Sequence, residues 1–294
     1  MEAAERSKRV SKNKSMKYQI QNILGKTTCY GRSKHQDKGP ENGYHPHGVY
    51  SVGTYNSYVR QCTAFAEWAK NEYGVKTVAE CEPYVTEYLA DYSSRRKASS
   101  AHTMKFALQK LFQAIDHEYK IEFSTPRRKR ADITKNRHTI YEVKGFDPDH
   151  YSKEVSFGKA TGLRRSEVLK LRRNNIIDNG DGTVSVFVFK GKGGKDRVVQ
   201  VRPGYEEFVR SLGGNGKERV FSELPSRFPE HVLRREYAQE MYKLYARDIS
   251  KLPKSDRYVC RKDKKGIIYD KKAMLKVSRL LGHNRIDVIA LHYL

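Results

Sequence analysis

The second half of the chain carries cationic, imidazole and phenolic side chains, each beside a feature that ends or turns the backbone. In chain order they are Arg164, Lys192, His231, Arg234, His283 and Tyr293. A guanidinium group can bind two oxygens of an anion at once, imidazole and ammonium groups can transfer protons, and a phenol can be a nucleophile. Such a set suits chemistry at a phosphodiester, whose transition state must be neutralised by fixed positive charge when no metal ion does so.

The spacing of these residues predicts how the backbone positions them. Gly162 ends one helical pattern in ATGLRRSEVLKL and Arg164 begins the next. Glu167 lies one turn further on, where its carboxylate can orient the guanidinium. His231 and Arg234 are three residues apart, which predicts that both project from one face of a helix.

Three further positions lie at a hairpin or a helix end. Lys192 is at the tip of a predicted hairpin in FKGKGGKDR, where the flanking glycines allow a close approach of the backbone to DNA. His283 follows a helix that Gly282 ends, and Tyr293 comes ten residues later in an apolar segment. None of these features is specific when taken singly, because hairpin lysines are usually solvated and helical histidines are usually structural. Their order along the chain carries the signal.

Other enzymatic motifs are missing from the sequence. It contains no GxxxxGK[ST] phosphate loop, no HExxH and no carboxylate cluster of the kind that holds two Mg²⁺ ions. The acidic stretch DNGDG at 178–182 resembles a calcium loop, but the twelfth position is Phe189 where that loop needs glutamate, so we predict a turn before a strand. The sequence therefore predicts neither a metal site nor a cofactor.

The composition predicts a polyanionic partner. Lys and Arg total 58 against 34 Asp and Glu, which gives a formal net charge of +24. Charge alone leaves open a packaging protein without chemistry, yet 37% hydrophobic residues can build cores. There is no apolar run of the ~20 residues that a membrane span needs, and no secretory signal. The cysteines lack the spacing of a metal site, so we expect reduced thiols in a cytoplasmic protein; they are Cys29, Cys62, Cys81 and Cys260.

The first half is predicted to be helical, with patterns at 16–24, 54–73, 77–92 and 100–117. Thr77 and Glu80 form a capping-box pattern. Trp68 and the aromatic stripe around it are more typical of a core than of a base-stacking surface. We predict a basic tail with a short helix over 1–45, a helical DNA-binding domain over 46–122 and a basic linker over 123–139.

The linker contains four consecutive basic residues after Pro126, namely Arg127, Arg128, Lys129 and Arg130. We favour a strap along DNA phosphates for this run over a solvated loop. The remainder, 140–294, is mixed, with two helices within 147–176, strands over 183–190 and 196–201, and helices over 204–211, 230–247 and 271–282. The predicted fold class is mostly α with a small β-sheet, that is, α+β.

Four motifs in order, TGLRRSE, GKGGKDR, HVLR and LLGH…Y, resemble the catalytic domain of the tyrosine recombinases, which include phage and conjugative-transposon integrases and Xer-type resolvases. The resemblance covers about residues 140–294, and the helical segment before it is similar in kind to that family's core-binding domain. It implies a site-specific recombinase that cleaves and rejoins DNA through a 3′-phosphotyrosyl intermediate. Integration or excision of a mobile genetic element, without metal or ATP, would be its role.

The same resemblance implies a role for each motif residue. Arg164 and Arg234 would clamp the scissile phosphate, and Lys192 would protonate the leaving 5′ oxygen. His231 would assist proton transfer at the nucleophile.

The last motif supplies two further roles, with His283 bonding a phosphate oxygen and Tyr293 acting as the nucleophile. Glu167 matches an acidic position that supports the first arginine. The interval from His283 to Tyr293 is one residue longer than usual, and the other nearby tyrosine, Tyr269, precedes His283.

The implied partner is double-stranded DNA, bound by a homo-tetramer and with no membrane involved. Lys195 in the hairpin motif is a further candidate for DNA contact. A type IB topoisomerase and a DNA-binding regulator without catalysis stay open as alternatives. The basic insertion at 248–272 could contact DNA or a neighbouring protomer, or be a solvated loop.

Overall fold

A computed structural model describes residues 14–32, 34, 36–38, 48–127, 129, 139–191, 194–261 and 264–294. The chain divides into two compact units, Met1–Asp132 and Ile133–Leu294. Three of the predicted site residues, Arg128, Arg130 and Lys192, lie outside the described residues. Within the described ranges, no helix is long and apolar enough to cross a membrane.

The first unit is helical, as its sequence patterns predict. Its helices are α1 (Met16–Gly25), α2 (Val52–Tyr73), α3 (Val85–Arg95) and α4 (Ala98–Gln113). Apolar residues at helical spacing pack into one core, where the ring centroids of Trp68 and Tyr88 are 5.0 Å apart. Trp68 therefore belongs to the core cluster rather than to an open stacking surface.

One helical prediction in this unit was wrong in its geometry. The single helix predicted over 77–92 is a 3₁₀ helix, Ala79–Tyr84, followed by α3. Pro83 inside the first part has no N–H to donate, which explains why an α-helix does not run through it. The capping box is present, since Glu80 N–H donates to Thr77 Oγ1 at 3.4 Å and Thr77 N–H donates to Glu80 Oε2 at 3.3 Å.

The second unit combines helices with two small antiparallel sheets. In chain order its elements are α5 (Ser152–Thr161), α6 (Arg165–Val168), β1 (Ile176–Asp178), β2 (Val184–Val188), β3 (Arg197–Gln200), α7 (Glu206–Leu212), α8 (Glu230–Tyr245), β4 (Arg257–Val259), β5 (Ile268–Asp270), α9 (Lys271–Leu280) and α10 (Ile286–His292). The fold is α+β, which confirms the predicted class.

Helices α7 and α9 pack against the larger sheet. Its strand order is β1-β2-β3, with Val186 opposite both Ile176 and Val199. Val184, Val186 and Val199 are fully buried, so alternate residues of the strands face the core. Burying each such side chain contributes about 1.5–3 kcal/mol relative to exposure.

Four of these elements were not anticipated. Strand β1 precedes the DNGDG turn, and the apolar segment after His283 forms the helix α10. The insertion at 248–272 is folded, because β4 pairs with β5 in the register Tyr258 opposite Tyr269. The described part of the insertion therefore contains regular structure, and its contact with DNA or a neighbouring protomer stays a prediction.

The base of this insertion is tied to the unit by a buried carboxylate. Asp270 is fully buried, and its oxygens accept from Arg247 Nη2 at 2.7 Å and Nε at 2.8 Å. Asp270 also caps α9 by accepting from the Lys272 N–H at 2.9 Å. Arg247 holds the pKa of Asp270 well below its usual value. The insertion thus joins the end of α8 to the start of α9 through ionic contacts.

Candidate active site

Arg164 is placed by a glycine that ends the preceding helix. Gly162 closes α5 with φ +58°, and its N–H donates to the Gly158 carbonyl at 2.8 Å. A Cβ at this position would lie 2.6 Å from the ring of Tyr237, so both conformation and space require glycine. Arg164 then adopts an extended conformation as the N-cap of α6. Its side chain is thereby directed into the site.

Glu167 binds Arg164 through two contacts. Its Oε2 accepts from the Arg164 main-chain N–H at 3.0 Å, and its Oε1 accepts from Arg164 Nη1 at 3.0 Å. The Glu167 side chain is only 4% exposed. The expected orienting contact between this carboxylate and the guanidinium is therefore present in the structure.

Arg197 is the residue that sequence reasoning missed. Its Nη2 and Nη1 donate to the two oxygens of Glu167 at 2.7 and 3.1 Å, and its Nε donates to the Leu280 carbonyl at 2.9 Å. A signal was present in the sequence, because the two-residue period of the strand places Arg197 with buried Val199 on one face. A charged residue on an apolar face requires a partner.

The pKa of Glu167 reflects these contacts. Burial acts to raise the pKa, but the hydrogen bonds from Arg197 and from the Arg164 N–H outweigh it and lower the pKa to about 2. The carboxylate is therefore ionised at neutral pH. It balances one of the two positive charges that it contacts.

The lack of a side chain at Gly191 lets the hairpin backbone lie against Glu167 and Arg197. A Cβ at Gly191 would lie 2.7 Å from Arg197 Nη1 and 3.1 Å from Glu167 Oε1. We expected the glycines of this motif to allow DNA to approach the backbone. At Gly191 the glycine allows the backbone to pack against the Glu167–Arg197 ion pair.

Arg234 is a buried cation held by main-chain carbonyls. Its side chain extends from α8, the residue is 1% exposed, Nη2 donates to the Leu281 carbonyl at 2.9 Å, and Nη1 donates to the Gly162 carbonyl. Burial lowers the pKa of Arg234, and the neighbouring Tyr293 acts in the opposite direction. An arginine nevertheless stays protonated in proteins. The two carbonyls belong to the turns that follow α5 and α9, so Arg234 connects both motifs.

His283 follows a helix end with two well-formed hydrogen bonds. Gly282 has φ +71°, its N–H donates to the Arg279 carbonyl at 2.9 Å, and the His283 N–H donates to the Ser278 carbonyl at 2.8 Å. This pair of bonds is the Schellman motif, in which the residue after the helix is left-handed. The backbone at His283 is therefore set by local geometry.

Tyr293 lies where the arginine and histidine motifs meet. His283 Nε2 is 3.3 Å from Tyr293 Oη, and the two ring centroids are 5.8 Å apart. The Arg234 guanidinium lies close enough to Tyr293 for the two side chains to interact electrostatically, and Tyr293 is 9% exposed. The phenolic oxygen is thus next to one imidazole and near one cation.

His231 does not share the surroundings of Arg234. Its side chain is 71% exposed, with Nε2 3.6 Å from Glu230 Oε1. Three-residue spacing was expected to place both on one helix face, yet the structure buries Arg234 and exposes His231. Residues three apart on a helix differ by about 60° in direction, so one of them can be buried while the other faces solvent.

Those predicted DNA-contacting residues that the structure describes lie on the surface. Arg127, Lys129 and Lys195 are exposed. When the Asn284 side-chain amide is oriented so that its nitrogen faces the His283 carbonyl, its oxygen accepts a hydrogen bond from Lys195 Nζ at 2.6 Å. This contact brings the hairpin to the loop that carries His283. Within the described part of the chain, no three His, Cys, Asp or Glu side chains come together as metal ligands would.

Two solved structures are similar to this chain over nearly its whole length. One is the XerH site-specific recombinase bound to palindromic difH substrate in a post-cleavage complex, with a TM-score of 0.52, 15% identity, and coverage of 95% of this chain and 93% of that one. The other is XerH bound to difH in a pre-cleavage complex, with a TM-score of 0.50, 14% identity and the same coverage. The chain has the fold of a tyrosine recombinase. Neither a protein-family model nor a curated relative matches the sequence.

The tyrosine-recombinase fold gives the motifs a common scaffold. Arg164, Arg234, His283 and Tyr293 come from four separate stretches of the chain, and contacts through Glu167, Gly162 and Leu281 connect them. The guanidinium groups of Arg164 and Arg197 bind the carboxylate of Glu167, and the buried cation Arg234 lies nearby, so these four groups carry a net charge of two positive units. An anion with two negative oxygens would complement this charge.

Proposed function

We propose that this chain is a tyrosine-type site-specific recombinase, and that it integrates or excises a mobile genetic element by cleaving and rejoining duplex DNA. The observation that carries the proposal is the position of Tyr293 Oη, 3.3 Å from His283 Nε2 and beside the Arg234 cation. A phenol with an ordinary pKa of ~10 is a weak nucleophile until neighbouring cations and a base draw off its proton. The fold shared with XerH supports the same proposal.

In the proposed cleavage step, Tyr293 Oη forms a bond to phosphorus while the bond from phosphorus to the 5′ oxygen breaks. The phenolic proton passes to an imidazole, and His283 is in position to accept it. Lys192, assigned from its place in the hairpin motif, gives a proton to the leaving 5′ oxygen. The products are a 3′-phosphotyrosyl ester and a free 5′ hydroxyl.

Joining reverses this step when the 5′ hydroxyl of another strand attacks the phosphotyrosyl ester. One phosphoester bond is exchanged for another, so the proposed reaction consumes no ATP. Arg164 and Arg234 would bind the non-bridging oxygens and neutralise the charge that develops on them, a role that we propose proceeds without metal. Removing one such donor from an active site typically costs about 10²–10³ in rate.

Binding to DNA is supported by charge. The net charge is +24, and exposed Arg127, Lys129 and Lys195 can contact phosphates, as can Arg128 and Arg130 in the same basic run. XerH, whose fold is similar, was solved on its difH DNA substrate. We further propose a homo-tetramer on two DNA sites. Because His283 is placed to take the phenolic proton, assistance of exposed His231 in proton transfer at the nucleophile stays a prediction.

The proposal can be tested with a pool of nicked suicide duplexes that tile the DNA on both sides of the gene encoding this chain. We expect a covalent protein–DNA adduct that survives denaturation and forms in the presence of EDTA. Tyr293→Phe should abolish the adduct because it lacks the attacking oxygen. Tyr269→Phe is the matched control, and it should form the adduct as the unmodified chain does.

Each outcome separates the alternatives. An adduct that persists in Tyr293→Phe would show that another residue is the nucleophile. An adduct accompanied by relaxation of supercoiled DNA, but by no strand exchange between two duplexes, would favour the topoisomerase alternative. DNA binding without an adduct on any duplex in the pool would favour the regulator.

A further inference from the structure

The insertion between the HVLR and LLGH motifs places a lysine at the end of the helix that precedes Tyr293. Lys264 lies between β4 and β5, and its Nζ donates to the Ala290 carbonyl at 3.0 Å and to the Leu294 carbonyl. Ala290 belongs to the last turn of α10, and Leu294 follows Tyr293 directly. The lysine therefore contacts the backbone on both sides of the tyrosine.

The Ala290 carbonyl is one of the groups that a helix end leaves without a backbone partner, and the Leu294 carbonyl lies just beyond that end. The last four carbonyls of an α-helix have no intrahelical donor, and the negative end of the helix dipole favours a cation. Since α10 has only seven residues, its backbone bonds alone would not keep it helical. An ammonium group at this point supplies both a donor and a favourable charge.

The lysine is itself held by the fold of the insertion. Its Nζ is 5.7 Å from the centroid of the Tyr269 ring, and that ring packs edge-on against Tyr242 of α8 with centroids 5.5 Å apart. The base of the hairpin is fixed by the contact of Arg247 with buried Asp270. A continuous set of contacts therefore joins α8 to Lys264 and from there to α10.

A second side chain holds the same segment from α8 directly. Gln239 Nε2 donates to the Tyr293 carbonyl at 3.1 Å, and the Tyr293 N–H donates to the Ile289 carbonyl at 3.0 Å. Gln239 fixes the peptide group of Tyr293 itself, while Lys264 fixes its neighbours. Together they restrict the backbone from which the phenol projects towards His283 and Arg234.

We propose that Lys264 is a positioning residue for Tyr293, and that the insertion acts within its own chain to hold the nucleophile segment. The inference has two parts. The anchoring part, that Lys264 holds residues 286–294 in place, does not depend on the proposed function, whereas the reactivity part, that this placement speeds the reaction of Tyr293, rests on it. Lys264 acts through carbonyls of the backbone and takes no proton from the reaction. Its removal should loosen residues 286–294 and lower the fraction of time in which Tyr293 Oη is correctly placed.

The anchoring part is tested without DNA, by hydrogen–deuterium exchange on the full chain. Lys264→Met keeps most of the apolar stem and removes the charge, so the core should stay folded. We expect exchange of peptides within 286–294 to speed up roughly tenfold, while peptides from β2, β3 and α8 stay unchanged. Lys264→Arg should restore slow exchange, and the neighbouring exposed Lys265→Met is the matched control. Unchanged exchange in Lys264→Met would overturn the inference.

The reactivity part is tested on the nicked-duplex pool, by the single-turnover rate of adduct formation at saturating and at limiting DNA. Lys264→Met should reduce the saturating rate roughly tenfold with little change in the DNA concentration needed for half-saturation. Lys264→Arg should recover most of the rate. An unchanged rate in Lys264→Met would overturn the reactivity part. If the unmodified chain forms no adduct, the proposed function fails, and exchange alone decides the anchoring part.

Discussion

The two sides of the candidate site are held by different kinds of interaction. On the hairpin side, the Glu167 carboxylate binds Arg164 and Arg197 through buried ionic hydrogen bonds. On the C-terminal side, the contacts that hold Arg234 and the backbone of Tyr293 are made largely to main-chain carbonyls. Arg164 and Arg197 are thus held by a carboxylate, whereas Arg234 and the backbone of Tyr293 are held by uncharged groups.

This difference has energetic consequences. Removing one partner of a buried ion pair leaves an uncompensated charge and costs about 3–5 kcal/mol. Losing one hydrogen bond to a carbonyl costs about 1 kcal/mol when water can replace it. We therefore expect the hairpin side to govern stability more strongly than the C-terminal side.

The largest effect is expected for Glu167→Gln. The amide has nearly the same shape but no charge, so Arg164 and Arg197, with side chains 13% and 10% exposed, would lose their counter-charge. The free energy of unfolding of the second unit should fall by about 3–5 kcal/mol. Denaturant-induced unfolding measures this free energy. Glu236→Gln is the matched control, because its side chain is 36% exposed and its ion pair with Arg202 should contribute about 1 kcal/mol or less.

The pH dependence of stability gives a second readout of the same substitution. Because the pKa of Glu167 in the folded chain is lowered to about 2 from 4.5, its stabilising contribution is complete above pH 4.5 and is lost as the pH falls towards 2. The stability difference between the unmodified chain and Glu167→Gln should shrink over that window. A difference that stays constant down to pH 2 would contradict the ionic account.

A smaller effect, on catalysis, is expected for Arg164→Lys. A point charge cannot reproduce the planar fork that binds Glu167 and would bind phosphate oxygens. Adduct formation should fall by about a hundredfold, equivalent to about 2.7 kcal/mol, while DNA affinity stays nearly unchanged. Arg172→Lys, at an exposed position, should alter neither quantity. Equal losses of binding and cleavage in Arg164→Lys would argue against its assignment to the transition state.

The smallest of the three effects is expected for Gly282→Ala on the C-terminal side. A left-handed conformation with φ +71° costs an L-residue about 1–2 kcal/mol, and the added Cβ would lie 3.2 Å from Arg197 Nη1. Thermal unfolding should report a loss of that size. Gly282→Asn should cost less, because asparagine tolerates this conformation. Equal losses of stability in the two variants would show that the loss comes from the contact of the added Cβ with Arg197 rather than from the left-handed backbone conformation.

Local features of the site were predictable because they depend on neighbours in the chain. The positive φ of Gly162 and Gly282, the helix that carries Arg234 and the contact of Glu167 with Arg164 all follow from spacings of four residues or fewer. The single helix predicted over 77–92 was wrong because Pro83, which lacks the N–H that an α-helix needs, lies inside that segment.

The sequence by itself determined the longest helices, Val52–Tyr73, Ala98–Gln113 and Glu230–Tyr245, together with the α+β class and the order of the motifs, since periodicity and glycine act locally. Only the tertiary structure decided that Arg197 pairs with Glu167, 30 residues away, and that Lys264 reaches Ala290, 26 residues away. The same holds for the burial of Arg234 beside the exposure of His231. The physical reason is that a charged side chain takes its partner from whichever elements pack against it. That packing depends on the whole unit, and no short stretch of sequence specifies it.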